Sequence, residues 1–369
     1  MKTKITFLII ILIVVIRGVV SSLSDLESVS WEPPYNPGLE GVYQKNSILD
    51  KASLILDGEI TGPEDTELGP DGFIYTGLED GRIIRFPMAS IDKQTLEHET
   101  FATTGGRPLG MEFDSHGHLI VADALKGILS ISAEGEVSVL LDRVNGQRLR
   151  YPDDLTVDND GIIWFTDMSG NFGYEDGLNF LFEGSATGRL LSYDRHSGKA
   201  EVHLKNLYSS NGVTLGPDDE YVLVNEFAMS RIMRYWIKGE RRGDADVFAE
   251  HLPGLVDNIT FNNEGLFWVA MPQVRDTSYD LLGYLPFVRD FLSLVPAEWV
   301  SGTNSHSLIV ALDLQGQVKY NLQTGGEKYH TITSANQIGN NLVIGSLAMD
   351  SIAVYRLNSE PLNAQVENE

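Results

Sequence analysis

The sequence has no cysteine and few bases: 27 Lys and Arg stand against 52 Asp and Glu over 369 residues, a net charge of −25. Without cysteine there are no disulfides, thiolate nucleophiles, iron–sulfur clusters or cysteine zinc sites. The redox compartment stays open, because exported chains also do without disulfides. The shortage of bases excludes a nucleic-acid partner, since binding to phosphates needs a basic footprint, and an acid-rich body collects cations instead. No G-x-S-x-G elbow occurs, which removes the serine nucleophile of that type. Gly69-Pro70-Asp71-Gly72 is followed by no Lys-Ser/Thr and reads as a turn, not a phosphate loop. Apolar residues make up 42% of the chain, ordinary for a packed core.

One long apolar run exists, Ile5–Ile16, behind Lys2 and Lys4 and ahead of Arg17. Twelve helical residues span about 18 Å, short of the ~30 Å hydrocarbon core. Residues 1–22 therefore read as a secretory signal peptide, or as a signal-anchor reaching Val20 with Arg17 snorkelling. Either way the body is exported: membrane-anchored through the N-terminus with the body outside the cytoplasm, or secreted if the run is cleaved. Residues 23–50, acidic and Pro-containing over Ser24–Pro37, predict a linker that lifts the body off the membrane. Residues 359–369 form a polar tail.

Between them, over 51–358, one pattern recurs six times: a Gly- or Asp-containing turn, a β-rich run, a polar turn and a second β run. It appears at 69–86, 114–131, 158–167 with 188–194, 216–236, 262–271 with 307–313, and 338–357. Alternation inside the runs indicates strands, and a fixed all-strand period of roughly 45 residues predicts an all-β, six-bladed β-propeller. Trp164, Trp236 and Trp268 fall in strand runs and are expected in the core between blades; His116 and His118 fall in a hairpin turn and are expected in solvent. In Gln273–Val300 the period changes: Leu281, Leu282, Leu285, Val288, Phe291, Leu292 and Val295 recur at three-to-four spacing. That predicts a short helical insertion broken near Pro286, either a lid over the channel mouth or a rim packed for stability, with an exposed aromatic face that could also touch the membrane.

Inner strands of a propeller converge on its axis, so polar residues just before each apolar run can meet there. These are Glu64, Asp65, Asp153, Asp154, Asn211, Asp257 and Asn258. Carboxylates and amide carbonyls around one point suit a hard cation taking six to eight oxygens, hence Ca2+; Mg2+ and Mn2+ accept the same donors. The bland alternative is that Asp and Asn simply make turns. Zinc is disfavoured because none of the eight His belongs to the set. Asn258-Ile259-Thr260 is a glycosylation sequon, but the apolar strand behind it favours burial. Arg107 beside Pro108 either points into the channel to hold a substrate carboxylate or makes a structural salt bridge.

The motifs GPE (62–64), GRPLG (106–110), VADALKG (121–127), DLTVDNDGIIWFTDMS (154–169), EGSATGRLLSYD (183–194), NGVTLGP (211–217) and PGLVDNI (253–259) together resemble the strictosidine synthase-like group of six-bladed propellers. More distantly the chain is similar to paraoxonases and gluconolactonase-type lactonases. The resemblance implies a catalytic calcium on Glu64, Asp153, Asn211, Asp257 and Asn258, with Asp257 as general base. It implies a second, structural calcium on Asp65 and Asp154, and an N-terminal single-pass tether. Position 153 departs from the group, which usually has Asn there, and Leu109 stands where paraoxonases place the first of two catalytic histidines. Strictosidine synthase itself uses a glutamate near the last blade, and no Glu lies between Lys328 and Ser359. The expected function is thus a Ca2+-dependent hydrolase of small-molecule esters or lactones. The alternative is a non-catalytic membrane-tethered binding propeller with structural Ca2+, and an amine–aldehyde lyase is disfavoured.

Overall fold

In the computed structural model, residues 24, 26–93, 96–295 and 305–357 are described. The apolar run of residues 1–22 and the tail 359–369 lie outside them. Six four-stranded antiparallel sheets are arranged as the blades of a propeller. Blade 1 comprises Thr66–Leu68, Phe73–Gly77, Arg82–Pro87 and Glu99–Thr103, and blade 2 Pro108–Phe113, Leu119–Asp123, Gly127–Ile131 and Val137–Leu141. Blade 3 comprises Pro152–Val157, Ile162–Asp167, Gly188–Asp194 and Lys199–Leu207, and blade 4 Ser210–Leu215, Tyr221–Glu226, Arg231–Trp236 and Ala245–Ala249. Blade 5 comprises Ile259–Phe261, Leu266–Met271, Ser307–Asp313 and Val318–Thr324. Blade 6 takes Ile332–Ile338, Asn341–Ser346 and Ile352–Arg356 from the end of the chain, and its outer strand, Ser53–Ile55, from the beginning.

The turns follow one local rule. An Asp or Asn accepts from the backbone N–H groups two and four residues on, and a Gly closes the turn at the third. Asp114 caps His116 and His118, Asp158 caps Asp160 and Ile162, Asn262 caps Glu264 and Leu266, and Asp313 caps Gln315 and Gln317. Gly117 and Gly161 sit at φ 81° and 79°, where a Cβ is strained.

Because each sheet is covered by a neighbour on both faces, its middle strands are apolar on both sides. Among the described residues an apolar cluster fills each gap between blades, for example Leu223, Ile259 and Phe267 between blades 4 and 5. Ile120, Phe165 and Leu191 join blades 2 and 3, and Ile74, Val343 and Ile352 join blades 6 and 1. Trp164 and Trp268 are buried in such gaps, while Trp236 packs partly exposed against one. His116 is in solvent, as expected for the turn.

One expectation changes. Residues 26–37 are not a free spacer but a strap bound along the propeller. Leu26 and Trp31 are buried, Val29 N donates to Glu183 O, Trp31 N to Gly283 O, and Arg275 Nη2 to Pro34 O. Leu26, Trp31 and Pro33, set among the acids and prolines that gave the linker composition, are what the strap packs with. The 273–300 segment holds two short helices, Thr277–Gly283 and Pro286–Leu292, with Pro286 opening the second. Leu281, Leu285 and Phe291 are exposed, because Arg275, Asp280 and Arg289 take the inner side to bind the strap and the neighbouring backbone.

Candidate functional site

Four inner strands carry a β-bulge near their first residues, which re-aims the side chains there toward the axis. The register shifts between Pro108 and Met111, Pro152 and Leu155, Ser210 and Val213, and Ile332 and Ser334. Asp153 and Asp154 lie in one of these bulges and Asn211 in another. In blades 1 and 5 the equivalent residues, Glu64–Asp65 and Asp257–Asn258, immediately precede the inner strand. An acid at the end of the second strand fastens the approach to the bulge. Asp123 accepts from Arg107 N, Asp167 from Arg150 N and Tyr151 N, and Glu226 from Tyr208 N.

The axial residues form two groups. Glu64, Asp153 and Asp257 are buried and within electrostatic reach of one another. Burial, then the charges of Asp65, Asp257 and Asp153, hold the Glu64 carboxyl well above its usual range. Burial and Asp153 do the same to Asp257, and burial pushes Asp153 up to about 8 against the pull of Arg107. Asn258 Nδ2 donates to Glu64 Oε1 at 2.9 Å, and Asn211 hydrogen-bonds the Asp257 carboxylate. Three buried oxygens of this group have no hydrogen-bond partner among the described residues: Glu64 Oε2, Asn211 Oδ1 and Asn258 Oδ1. Among the described residues no three His, Asp or Glu side chains form a ready-made metal cage. The oxygen supply here is mixed, two amide carbonyls with carboxylates, and orphaned acceptors beside mutually repelling acids are the donor chemistry a hard cation fits.

Asp65 and Asp154 form the second group, deeper along the axis, where they line a polar cavity of about 620 Å³. Their carboxylates already have donors from the next blade: Met111 N at 3.3 Å and Asn336 Nδ2 at 3.0 Å for Asp65, Val213 N at 2.8 Å for Asp154. They clasp blade 1 to blades 2 and 6, and blade 3 to blade 4. Burial raises both, Asp65 to about 6.

Arg107 is fully buried and makes no ion pair within 4.0 Å among the described residues, so the structural salt bridge is not found. Its Nη2 donates to Gly62 O at 2.9 Å, its Nε and Nη1 have no partner, and its charge bears on Glu64 and Asp153. Asn258 is buried, which excludes a glycan.

Several participants escaped the sequence reading. Thr333 and Ser334 hydroxyls donate to Glu64 O at 2.7 and 2.9 Å, and Asn225 Nδ2 donates to Asp257 O. Gly212 is required because a Cβ there would lie 2.5 Å from Asp257 O. Tyr151, within electrostatic reach of Asp153, Asp257 and Glu64, belongs to an apolar roof with Leu109, Ala124, Met168 and Phe180. Phe180 lies on the short helix Asn179–Glu183, 5.7 Å edge-on from the Tyr151 ring. The roof nearest the acids is thus carried by blades 2 and 3, and Pro286–Leu292 packs behind it, donating Arg289 Nη1 to Phe182 O at 2.7 Å. Asn225 stands one residue before Glu226, the acid that ends its strand, and nothing local marks it or Tyr151.

A strictosidine synthase profile matches residues 153–240, which include Asp153, Asp154 and Asn211, and a strictosidine synthase-like N-terminal profile matches residues 41–86, which include Glu64 and Asp65. The protein strictosidine synthase-like 6 of Arabidopsis thaliana is 36% identical over 304 residues, 81% of this chain and 80% of that one. The adipocyte plasma membrane-associated protein of Gallus gallus is 33% identical over 352 residues, 90% of this chain and 84% of that one. Among solved structures, a gluconolactonase from Xanthomonas campestris superposes with a TM-score of 0.60 at 16% identity, over 90% of this chain and 96% of that one. A calcium-binding protein, regucalcin, from Agrobacterium tumefaciens gives 0.57 at 14%, over 84% and 97%. The solved structures share the propeller. The sequence relatives share about a third of their residues along at least four-fifths of the chain, and on that ground the chain belongs to the strictosidine synthase-like family.

Proposed function

We propose that this propeller is a Ca2+-dependent hydrolase of esters or lactones, held at a membrane through its N-terminal apolar run. The observation that carries the reading is the set of unpartnered buried oxygens on Glu64, Asn211 and Asn258 beside the raised carboxyls of Asp153 and Asp257. Those five residues would hold the ion. Bound there, Ca2+ supplies a Lewis acid for the carbonyl oxygen and charge for the oxyanion that follows.

The chain's own groups do the rest. Asp257, raised by burial and by Asp153, is basic enough to take a proton from water as the water oxygen attacks the carbonyl carbon. When the acyl C–O bond breaks, that proton passes to the departing alkoxide, giving an alcohol and an acid, or a hydroxy acid from a lactone. Arg107 offers unpartnered N–H groups to a substrate carboxylate. The roof of Leu109, Tyr151, Met168 and Phe180 excludes water and favours apolar substituents over charged ones. Leu109 in that roof offers no proton transfer, which leaves Asp257 to act without a histidine pair. The membrane part of the reading is supported by Ile5–Ile16 and by relatives named for plasma-membrane association.

The test is hydrolysis of aryl esters and lactones with and without chelator, comparing wild type with Asn211→Ala and Asp257→Ala. Activity lost with chelator, restored by Ca2+ and absent in both variants is expected. Activity indifferent to all three overturns the reading. A blank substrate screen with Ca2+ still raising Tm would leave the binding propeller instead.

A further inference from the structure

The helices Thr277–Gly283 and Pro286–Leu292 present an apolar face to solvent. Leu281 is 54% exposed, Tyr284 55%, Leu285 45%, Phe291 51% and Leu294 40%, in a protein whose surface is otherwise dominated by acids. Residues 279–295 contain three charged side chains, and none faces out. Asp280 pairs with Arg275 at 3.0 Å and accepts from Asn36, Arg289 is buried against Phe182 O and Val29 O, and Asp290 accepts from Ser28 N. A helix pair in water carries its charges outward and its leucines inward. This pair does the reverse.

The strap supplies the second observation. It brings the N-terminal end of the described chain onto this face: the Ser24 hydroxyl lies 3.0 Å from that of Ser293, between Phe291 and Leu294 in sequence. The apolar run ends at Ile16, eight residues earlier, and eight residues reach at most about 28 Å. A bilayer holding that run therefore lies within reach of the helices.

We infer that the helix pair is a second membrane contact: Leu281, Leu285, Phe291 and Leu294 enter the interface of a bilayer and Tyr284 sits at headgroup level, laying the propeller on the membrane by its helical edge. The net charge of −25 makes the contact depend on apolar burial, not on anionic lipid. The inference rests on the same reading of Ile5–Ile16 as a tether, but it is independent of hydrolysis, and its readout separates helices from tether.

The absence of cysteine makes the test direct. Full-length Leu285→Cys and Phe291→Cys, each labelled with a polarity-sensitive fluorophore, are mixed with phosphatidylcholine vesicles carrying a shallow spin-labelled lipid; Val139→Cys, 59% exposed on the outer strand of blade 2, is the control. Thermal melts confirm that each variant is folded. At least threefold quenching at 285 and 291, with none at 139, is expected. Vesicles that bind the protein while 285 and 291 quench no more than 139 leave the tether alone as the contact and overturn the inference. So does binding that requires phosphatidylserine, failure to bind vesicles at all, or shielding of both labels without vesicles as protein concentration rises, which would make a second copy the occupant.

Discussion

Asn258 reaches across 194 residues of sequence to donate its Nδ2 to Glu64 Oε1 at 2.9 Å, and the bond leaves Asn258 Oδ1 and Glu64 Oε2 both buried and unpaired. One contact thus joins blade 5 to the entrance of blade 1 and presents two acceptors to the axis. Exposing lone acceptors to no donor costs about 1–3 kcal/mol each, so the arrangement is tense without a cation.

Glu64→Gln tests that tension from both directions. The neutral isostere removes one of three crowded acids, so the chelator-treated variant is expected to melt several degrees above wild type at pH 8. It also loses a ligand charge, so Ca2+ affinity by titration calorimetry is expected to fall at least 100-fold. A variant that melts below wild type in chelator contradicts this electrostatic account.

Stability without metal should depend on pH in a defined direction. A carboxyl with a raised folded pKa favours the fold while it is protonated. That contribution is complete below about pH 4, the unfolded value, and is lost as pH rises through the folded one, about 8 for Asp153. Each such group costs up to about 1.4 kcal/mol per pH unit across that window. Urea unfolding in chelator at pH 5, 6, 7 and 8 is expected to show falling stability, and saturating Ca2+ is expected to flatten the trend. A flat profile in chelator would contradict the raised carboxyls.

Gly212→Ala places a Cβ 2.5 Å from Asp257 O and 2.6 Å from the Asn258 Cα, backbone that cannot step aside without moving two candidate ligands. A loss of ~3 kcal/mol in urea unfolding is expected, with Ca2+ binding weakened in whatever folded protein remains. Full binding with unchanged stability would show that the inner strands of blades 4 and 5 are not so tightly set.

Arg107→Met keeps the volume of the buried side chain and removes its unpartnered donors. KM for an ester bearing a carboxylate is expected to rise at least tenfold more than KM for its neutral analogue. An equal rise for both would assign Arg107 to holding Gly62 O alone.

The six blades were legible because the middle strands of each are buried on both faces and each D-x-x-G or N-x-x-G turn repeats one backbone solution. The axial set was legible for the same reason, since residues at equivalent points of a repeat meet on its axis. The bulges at Pro152–Leu155 and Ser210–Val213 were not, because a register shift depends on the partner strand and leaves no mark in local composition. Tyr151 and Phe180 belong to the roof only through tertiary contact. The direction in which Leu281, Leu285 and Phe291 face was not legible for a different reason. Periodicity reports that a helix has an apolar side, whereas the strap bound to Arg275 and Arg289 decides which way that side turns.

Ser53–Ile55 shuts the last blade against Ile352–Arg356, so the ring is only as durable as three residues' worth of ladder, and those residues follow the strap at the N-terminal side. A pull on Ser24 would travel toward that clasp, but it meets anchorage first: Trp31 at Gly283, Pro34 at Arg275, and Tyr43, Gln44 and Asn46 at Gln323. The strap works as strain relief does on a cable, spending mechanical load before it reaches the joint.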